Sequence, residues 1–176
     1  GAGTNRINKY TLGRATQGLS NYLIENVRKE QLSAVIAYDC RHNSKKFAEI
    51  VAGVLSANNI KVFLFEDLRA TPELSFAVRY LGCDAGIVLT ASHNPPEYNG
   101  YKVYWADGGQ IVPPHDGGII GNVNALDFSE INFNANEDLI KVIGKEVDDV
   151  FIKESVKNGS LSNNIDRKNL KIVFTS

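Results

Sequence analysis

The chain has 176 residues, 43% of them hydrophobic and 22% charged, and its 19 basic and 20 acidic side chains leave a formal charge of -1. This length suits one domain with a well-formed core, or one domain and part of another, and the balanced charge leaves no basic stripe for a nucleic-acid backbone. No apolar run approaches the roughly 18 residues of a membrane-spanning helix, and Cys40 and Cys83 are too few for a disulfide scaffold. We therefore expect a cytoplasmic protein without nucleic-acid or membrane partners.

Helices and strands are predicted to alternate as far as residue 105, because segments with helical apolar spacing are followed by short apolar segments. The predicted elements, in chain order, are a helix over 11–29, a strand over 33–38, a helix capped by Ser44 and ended by Asn58 and Asn59, a strand over 60–65, a helix with Thr71 as its cap and Pro72 at its first position, and strands over 85–89 and 100–105.

This alternation is typical of an α/β domain with a largely parallel sheet. About ten residues separate the third strand from the fourth, which is too few for a helical crossover, so these two strands are predicted to be antiparallel neighbours. The predicted fold is a three-layer α/β/α arrangement with a mixed, mostly parallel sheet.

The rest of the chain gives weaker signals. Residues 116–126 predict a helix broken by glycines, 127–139 a loop, and 145–157 a helix on which Asp148 and Asp149 form a solvated face. Residues 161–168 are a polar linker, and 171–176 predict a strand that is just beginning. The chain starts at Gly1 and contains no methionine. We therefore expect a fragment, with one domain over 1–160 and, over 161–176, a linker and the first strand of a truncated second domain.

The segment that follows the third predicted strand, residues 90–100, is the strongest functional candidate; we call it the serine loop. In α/β folds, ligands bind beyond the carboxyl ends of strands. Two adjacent prolines stiffen this loop, which presents Ser92, His93 and Asn94, and a turn at Asn99-Gly100 leads into the fourth strand. Lys102 lies ten residues after Ser92, and a hairpin would bring its ammonium group back towards the serine.

Three interpretations of this loop remain open from the residues alone. A hydrolase serine needs a base and an oxyanion hole, often in a Gly-x-Ser-x-Gly turn, and Thr90 and Asn94 stand where those glycines would be. A phosphoryl carrier needs a fixed oxygen and nearby cations, which His93, Lys102 and Arg41 could supply. The third interpretation is an ordinary polar turn. For Arg41, pairing with Asp39 or capping of the next helix is an alternative to a catalytic role.

The segment from Thr90 to Tyr104, Thr-Ala-Ser-His-Asn-Pro-Pro-Glu-Tyr-Asn-Gly-Tyr-Lys-Val-Tyr, closely resembles the phosphoserine loop of the α-D-phosphohexomutases. Residues 1–8, 17–18 and 39–44 look like other stretches of that family's first domain. Residues 108–116 are similar to the branch that holds phosphoglucomutases and phosphopentomutases, and 171–176 look like the opening strand of the second domain. The serine loop is highly specific, since some dozen positions match in order.

The resemblance implies that Ser92 carries a phosphoryl group and donates it to a sugar monophosphate, giving a bisphosphorylated sugar whose other phosphate returns to the serine. It implies catalytic roles for Ser92, His93 and Lys102, contacts from Asn94 and Arg41 to substrate or phosphate, and Mg2+ bound by Ser92 through its phosphate. The expected partners are sugar phosphates, with glucose 1,6-bisphosphate or a similar compound as activator, and the remaining domains of the same polypeptide.

The family's aspartate-rich metal loop, its sugar- and phosphate-recognition loops and an arginine segment that normally precedes the Gly1 region are not present in this sequence. We therefore expect the isolated chain not to turn over substrate. The activity expected of the full-length protein is that of a phosphoglucomutase or phosphomannomutase. The alternatives are a phosphopentomutase of the same family and a non-catalytic binding domain with the same fold.

Overall fold

The computed structural model describes residues 6–159, 166 and 168–173. Its helices are α1 (Lys9–Asn26), α2 (Ser44–Ala57), α3 (Thr71–Tyr80), α4 (His115–Ala125) and α5 (Lys145–Lys157), and its strands are β1 (Ser33–Tyr38), β2 (Lys61–Phe65), β3 (Ala85–Leu89), β4 (Tyr101–Trp105) and β5 (Ile140–Ile143). Two short 3-10 helices, Phe128–Glu130 and Glu137–Leu139, precede β5. Across the described ranges, no helix has the length and apolar character needed to cross a membrane.

The five strands form one mixed sheet in the order β4-β3-β1-β2-β5. Strand β1 is parallel to both β2 and β3, and β2 is parallel to β5, whereas β3 and β4 are antiparallel. The predicted three-layer fold and the antiparallel pairing of the third and fourth strands are therefore confirmed. The carboxyl ends of β1, β2, β3 and β5 all lie at one edge of the sheet, where the loop into β4 also lies.

Two cores pack against the two faces of this sheet, because side chains alternate along each strand. On one face, Ala34, Ile36 and Tyr38 of β1 contact the apolar sides of α1, α2 and α4. On the other face, Val35 and Ala37 contact α3 and α5. The helices on both faces hold the central strands rigidly, and those strands fix the starting points of the loops at the carboxyl edge.

The starts of three helices differ from the sequence prediction. Helix α1 begins at Lys9 instead of residue 11, because the side chain of Asn8 accepts hydrogen bonds from the backbone amides of Tyr10 and Thr11. Ser44 is the first residue of α2 and not its cap; the cap is Asn43, with φ of 64°. Likewise Ala70 is the cap of α3, so Thr71 and Pro72 are its first two residues.

Strand β5 was not predicted from the sequence. Its four residues, Ile140–Ile143, pair in parallel with β2 after the segment 127–139, which was predicted as loop and contains the two 3-10 helices. The prediction that Asp148 lies on a solvated face of α5 was wrong. Its carboxylate accepts two hydrogen bonds from Arg69, at 2.7 and 2.8 Å. Most of the predicted linker lies outside the described residues, as do residues 174–176, and the described residues 171–173 have no regular structure.

Candidate functional site at the carboxyl edge of the sheet

The serine loop leaves β3 at the carboxyl edge of the sheet, as the sequence predicts, and its residues from Ser92 to Tyr98 are exposed. Ser92 adopts the left-handed conformation, with φ of 57°, which non-glycine residues rarely adopt. Its backbone amide donates to Oγ1 of Thr90 at 3.0 Å. The buried Thr90 side chain therefore helps to hold Ser92 in this conformation.

Lys102 reaches the serine because of the register between β3 and β4. Val88 pairs with Lys102, and Leu89 with Tyr101, so the first residues of β4 lie beside the last residues of β3. From this position Nζ of Lys102 donates a hydrogen bond to Oγ of Ser92 at 2.8 Å. A cation is thus placed on the one atom of this loop that we expected to carry a phosphoryl group.

Gly100 closes the loop where two backbone segments approach each other. The amide of Thr90 donates to the carbonyl of Gly100 at 3.2 Å. A Cβ atom on Gly100 would lie 2.4 Å from the carbonyl oxygen of Thr90, which is closer than real Cβ atoms come. Only glycine lets the chain return at this point to begin β4.

Arg41 lies beneath the loop, with its side chain only 7% exposed. Its Nε donates to Oδ2 of Asp39 at 2.9 Å, which confirms the expected pairing of these two residues. Its other two nitrogens donate to backbone carbonyls of the serine loop: Nη2 to that of Ser92, and Nη1 to those of Asn94, Pro95 and Tyr98.

Further bonds join the serine loop to residues 39–43, which we call the Arg41 loop. The amide of His42 donates to the carbonyl of Pro96 at 3.2 Å, and Nδ2 of Asn99 donates to the carbonyl of His42 at 2.8 Å. The hydroxyl of Ser44 lies 3.3 Å from Oδ1 of Asp39 and 3.2 Å from Oδ1 of Asn99. The loops that follow β1 and β3 therefore form one connected unit.

The predicted site residues are brought together in different ways. Lys102 contacts the serine hydroxyl, whereas Arg41 contacts the serine through its carbonyl, and Asn94 takes part in this network through its backbone oxygen. His93 follows Ser92 and is exposed. The roles of all five in catalysis or phosphate binding stay predictions.

Thr90, Asn99 and Ser44 were not singled out from the sequence as residues that shape the site. For Thr90 a local signal exists, since Thr and Ser side chains often bond to the backbone two residues away. For Asn99 and Ser44 the partners lie 57 and 55 residues away in the chain, and spacing gives no sign of such contacts.

A metal site is not complete within the described ranges, since no group there contains three or more His, Cys, Asp or Glu side chains able to hold a metal ion. The exposed Ser92 is compatible with a single ligand supplied through a phosphate. The two thiols, Cys40 and Cys83, are free. Burial, as the largest cause, raises the pKa of Cys83 to about 12, so this thiol is protonated at neutral pH.

Comparison with known proteins adds a family match. A family model described as phosphoglucomutase/phosphomannomutase, alpha/beta/alpha domain I, matches residues 1–130. A phosphoglucomutase of Staphylococcus haemolyticus is 41% identical over 181 aligned residues, which cover all of this chain and 32% of that protein. A Schizosaccharomyces pombe protein provisionally named a phosphoribomutase is 48% identical over 120 residues, covering 68% of this chain and 20% of its own length. The chain thus spans at most about a third of the length of these relatives.

Solved structures agree with this match. A protein of Thermus thermophilus, provisionally described as a phosphomannomutase, shares 30% identity with a TM-score of 0.64, over 81% of this chain and 30% of that one. The Paramecium phosphoprotein pp63/parafusin, a phosphoglucomutase in an open form, has a TM-score of 0.65 at 20% identity, over 82% of this chain and 31% of that one, and supports the fold alone.

Proposed function

Because the chain belongs to the phosphoglucomutase/phosphomannomutase family, we propose that it is the phosphoserine domain of a cytoplasmic sugar-phosphate mutase. Ser92 carries the phosphoryl group, and the enzyme interconverts a sugar 1-phosphate and a sugar 6-phosphate through a bisphosphorylated sugar. The observation that carries this proposal is the hydrogen bond of 2.8 Å from Nζ of Lys102 to Oγ of Ser92 on an exposed loop. The free thiols of Cys40 and Cys83 support a reducing compartment.

The contact between Lys102 and Ser92 suits transfer in both directions. When the phosphoryl group leaves phosphoserine, negative charge develops on Oγ, and an ammonium group that already donates to this atom stabilises that charge. When the group returns to Oγ, the proton of the serine hydroxyl ends on the sugar oxygen that the phosphoryl group leaves, and the same hydrogen bond stabilises the negative charge that develops on Oγ. Lys102 therefore acts as an electrostatic stabiliser of Oγ, with His93 beside the transferring group.

Phosphoserine adds a charge of about -1.5 to -2 at neutral pH. Nearby cations must neutralise this charge if the loop is to carry it. When bound, Mg2+ would neutralise charge on the phosphoryl oxygens. Ser92 would coordinate Mg2+ only through the phosphate, and the remaining Mg2+ ligands would come from outside the described residues. Glucose 1,6-bisphosphate or a similar sugar bisphosphate would be the activating intermediate.

Phosphate mapping tests the proposal directly. The full-length protein is incubated with glucose 1,6-bisphosphate, and mass spectrometry of its peptides locates the phosphoryl group. We expect it on Ser92 and expect no labelled peptide from the Ser92→Ala variant. Phosphate on another residue of the active enzyme, or full activity in Ser92→Ala, would overturn the assignment of Ser92 as the carrier. A wild-type protein with neither a labelled peptide nor mutase activity would overturn the whole proposal and favour a non-catalytic binding domain.

A pentose phosphate is the second candidate substrate, because the relative provisionally named a phosphoribomutase is 48% identical to part of this chain. The test compares kcat/KM of the full-length enzyme for glucose 1-phosphate, mannose 1-phosphate and ribose 1-phosphate, each with its bisphosphate as activator. A higher value for ribose 1-phosphate would assign the protein to the phosphopentomutases.

A further inference from the structure

The serine loop has few backbone hydrogen bonds of its own. Asn94 donates to the carbonyl of Ala91 at 3.1 Å, and Tyr98 donates to that of Pro95 at 3.0 Å, while Pro95 and Pro96 have no amide hydrogen to donate. An irregular segment of this kind keeps one conformation only where other groups satisfy its carbonyls. Here the Arg41 guanidinium group donates to four carbonyls, those of residues 92, 94, 95 and 98.

The two peptide units that flank Ser92 are both held. On the amino side, the Ser92 amide donates to Oγ1 of Thr90. On the carboxyl side, the Ser92 carbonyl accepts from Nη2 of Arg41. Because Ser92 has φ of 57°, an uncommon conformation for serine, loss of either bond frees the backbone to relax. The direction of the hydroxyl towards Lys102 depends on this backbone.

The Arg41 guanidinium group is largely committed to these contacts. Nε donates to Asp39, and both terminal nitrogens donate to carbonyls of the serine loop, so little of the group is left to contact a substrate phosphate. Its side chain is nearly buried, whereas Lys102 is directed at the serine oxygen. The predicted phosphate-binding role of Arg41 would require this network to break.

From these contacts we propose that Arg41 is the positioning residue of the serine loop, a role that rests on the proposed function. It acts through the backbone of residues 92–98 and keeps Oγ of Ser92 in reach of Lys102, without contacting the phosphoryl group. A lysine at this position keeps the charge but lacks the planar fork that reaches several acceptors at once. Arg41→Lys therefore separates positioning from charge.

Amide hydrogen exchange of the 176-residue chain tests the positioning without any substrate. The amides of Ser92, Asn94 and Tyr98 report on the loop, and those of Ile36 and Val88 on the sheet. In Arg41→Lys and Arg41→Ala we expect the loop amides to exchange at least about tenfold faster, as expected when local opening becomes easier, while the sheet amides stay slow. Lys45→Ala, which removes an exposed cation near the start of α2, is the control and should leave all five unchanged.

Addition of millimolar guanidinium to Arg41→Ala should restore protection of the loop amides but have no effect on the control variant. If Arg41→Ala fails to fold, Arg41→Lys alone decides. If the amides of Ser92, Asn94 and Tyr98 exchanged in Arg41→Lys at the same rates as in the wild type, the proposal would be overturned.

Kinetics of the full-length mutase separate positioning from phosphate binding. We expect Arg41→Lys to lower kcat at least about tenfold with little change in KM, because a misplaced nucleophile weakens the transition state and not the binding of substrate. A rise in KM with unchanged kcat would show direct phosphate binding and overturn the proposal. If the wild-type enzyme had no mutase activity while the exchange results held, the proposed function would be wrong and the positioning by Arg41 would stand.

Discussion

Ser92 and Lys102 share one hydrogen bond, yet their removal should have unequal effects on the full-length enzyme. Under the proposed function, Ser92→Ala deletes the atom that accepts and donates the phosphoryl group, and Thr90 cannot replace it because its hydroxyl is buried and bonded to the Ser92 amide. We expect nearly all activity to be lost. Lys102→Ala removes one electrostatic stabiliser, which typically costs about 10²–10³ in rate. Steady-state kinetics on both variants checks this expectation.

The control for these two variants is Lys45→Ala, since Lys45 is exposed and belongs to a different element. Its activity should match that of the wild type. If Ser92→Ala kept measurable activity comparable to that of Lys102→Ala, the phosphoserine mechanism would be wrong. Wild-type activity in Lys102→Ala would leave the serine assignment intact and make the lysine structural.

Glu73 is a second residue whose chemistry can be tested, through stability instead of activity. It is buried beside the pair formed by Arg69 and Asp148, and its Oε1 has no hydrogen-bond partner. Burial first, and then the hydrogen bond and charge of Asp148, raise the pKa of Glu73 to about 7, although Arg69 opposes them. The hydrogen bond from Arg69 instead holds the pKa of Asp148 below its usual value.

A raised carboxyl pKa means that the folded state holds its proton at pH values where the unfolded state has lost it. The stability that this proton provides is therefore lost as the pH rises from about 4.5 through about 7. Glu73→Gln cannot ionise, so its free energy of unfolding should exceed that of the wild type at pH 8 by at least about 1 kcal/mol. Urea denaturation between about pH 5 and about pH 8 measures the difference.

Glu49→Gln, at an exposed position on α2, is the matched control and should keep the wild-type dependence on pH. Parallel pH profiles for Glu73→Gln and the wild type would mean that Glu73 ionises like an exposed carboxyl group. Asp148 does not contribute to the pH dependence in this range, because its pKa is lowered and it titrates below the range.

Helices α1 and α4 pack closely through glycine. A Cβ atom on Gly18 of α1 would lie 2.4 Å from Cγ2 of Val123 and 2.8 Å from its backbone nitrogen, so the two helices would have to separate. We expect Gly18→Ala to destabilise the fold by about 1–3 kcal/mol, the usual range for overpacking. Thermal or urea unfolding of the 176-residue chain measures this loss.

Gly121→Ala is the control within the same helix pair. Nothing lies within 4 Å of the position of its Cβ, and alanine is the better helix former by about 0.5–1 kcal/mol. It should therefore stabilise the chain. If both variants changed stability in the same direction, the close approach at Gly18 would not limit the packing of α4.

The elements from β1 to β4 could be predicted because continuous apolar segments, turn residues and helical spacing all agree there. Strand β5 could not be predicted, since two of its four residues, Lys141 and Val142, are exposed. Its extended conformation depends on pairing with β2. At the site, the proximity of Ser92 and Lys102 could be predicted from the sequence because a short hairpin joins them. The role of Arg41 was not, because it rests on contacts with residues 51–57 positions away.

For the molecule as a whole, we expect the isolated 176-residue chain to show no mutase turnover. The described ranges contribute one hydroxyl and one ammonium group at an open edge and no cluster of three metal-ligating side chains. A coupled assay with glucose 1-phosphate, Mg2+ and a trace of glucose 1,6-bisphosphate tests this, with the full-length enzyme as the positive control. Turnover at ordinary enzyme rates would show that the active site is complete within this chain.

The position of β5 at the end of the sheet gives it one more consequence. The family match stops at residue 130, whereas the strand that covers β2 spans Ile140–Ile143. A chain cut at residue 130 would leave unpaired those backbone amides and carbonyls of β2 that face β5, while the side of β2 that faces β1 would stay paired. Such an uncovered edge is a template for strands of other molecules. We therefore expect the shorter chain to self-associate more readily than one that keeps β5, because β5 is a short edge strand and its exposed Lys141 disfavours the addition of another strand.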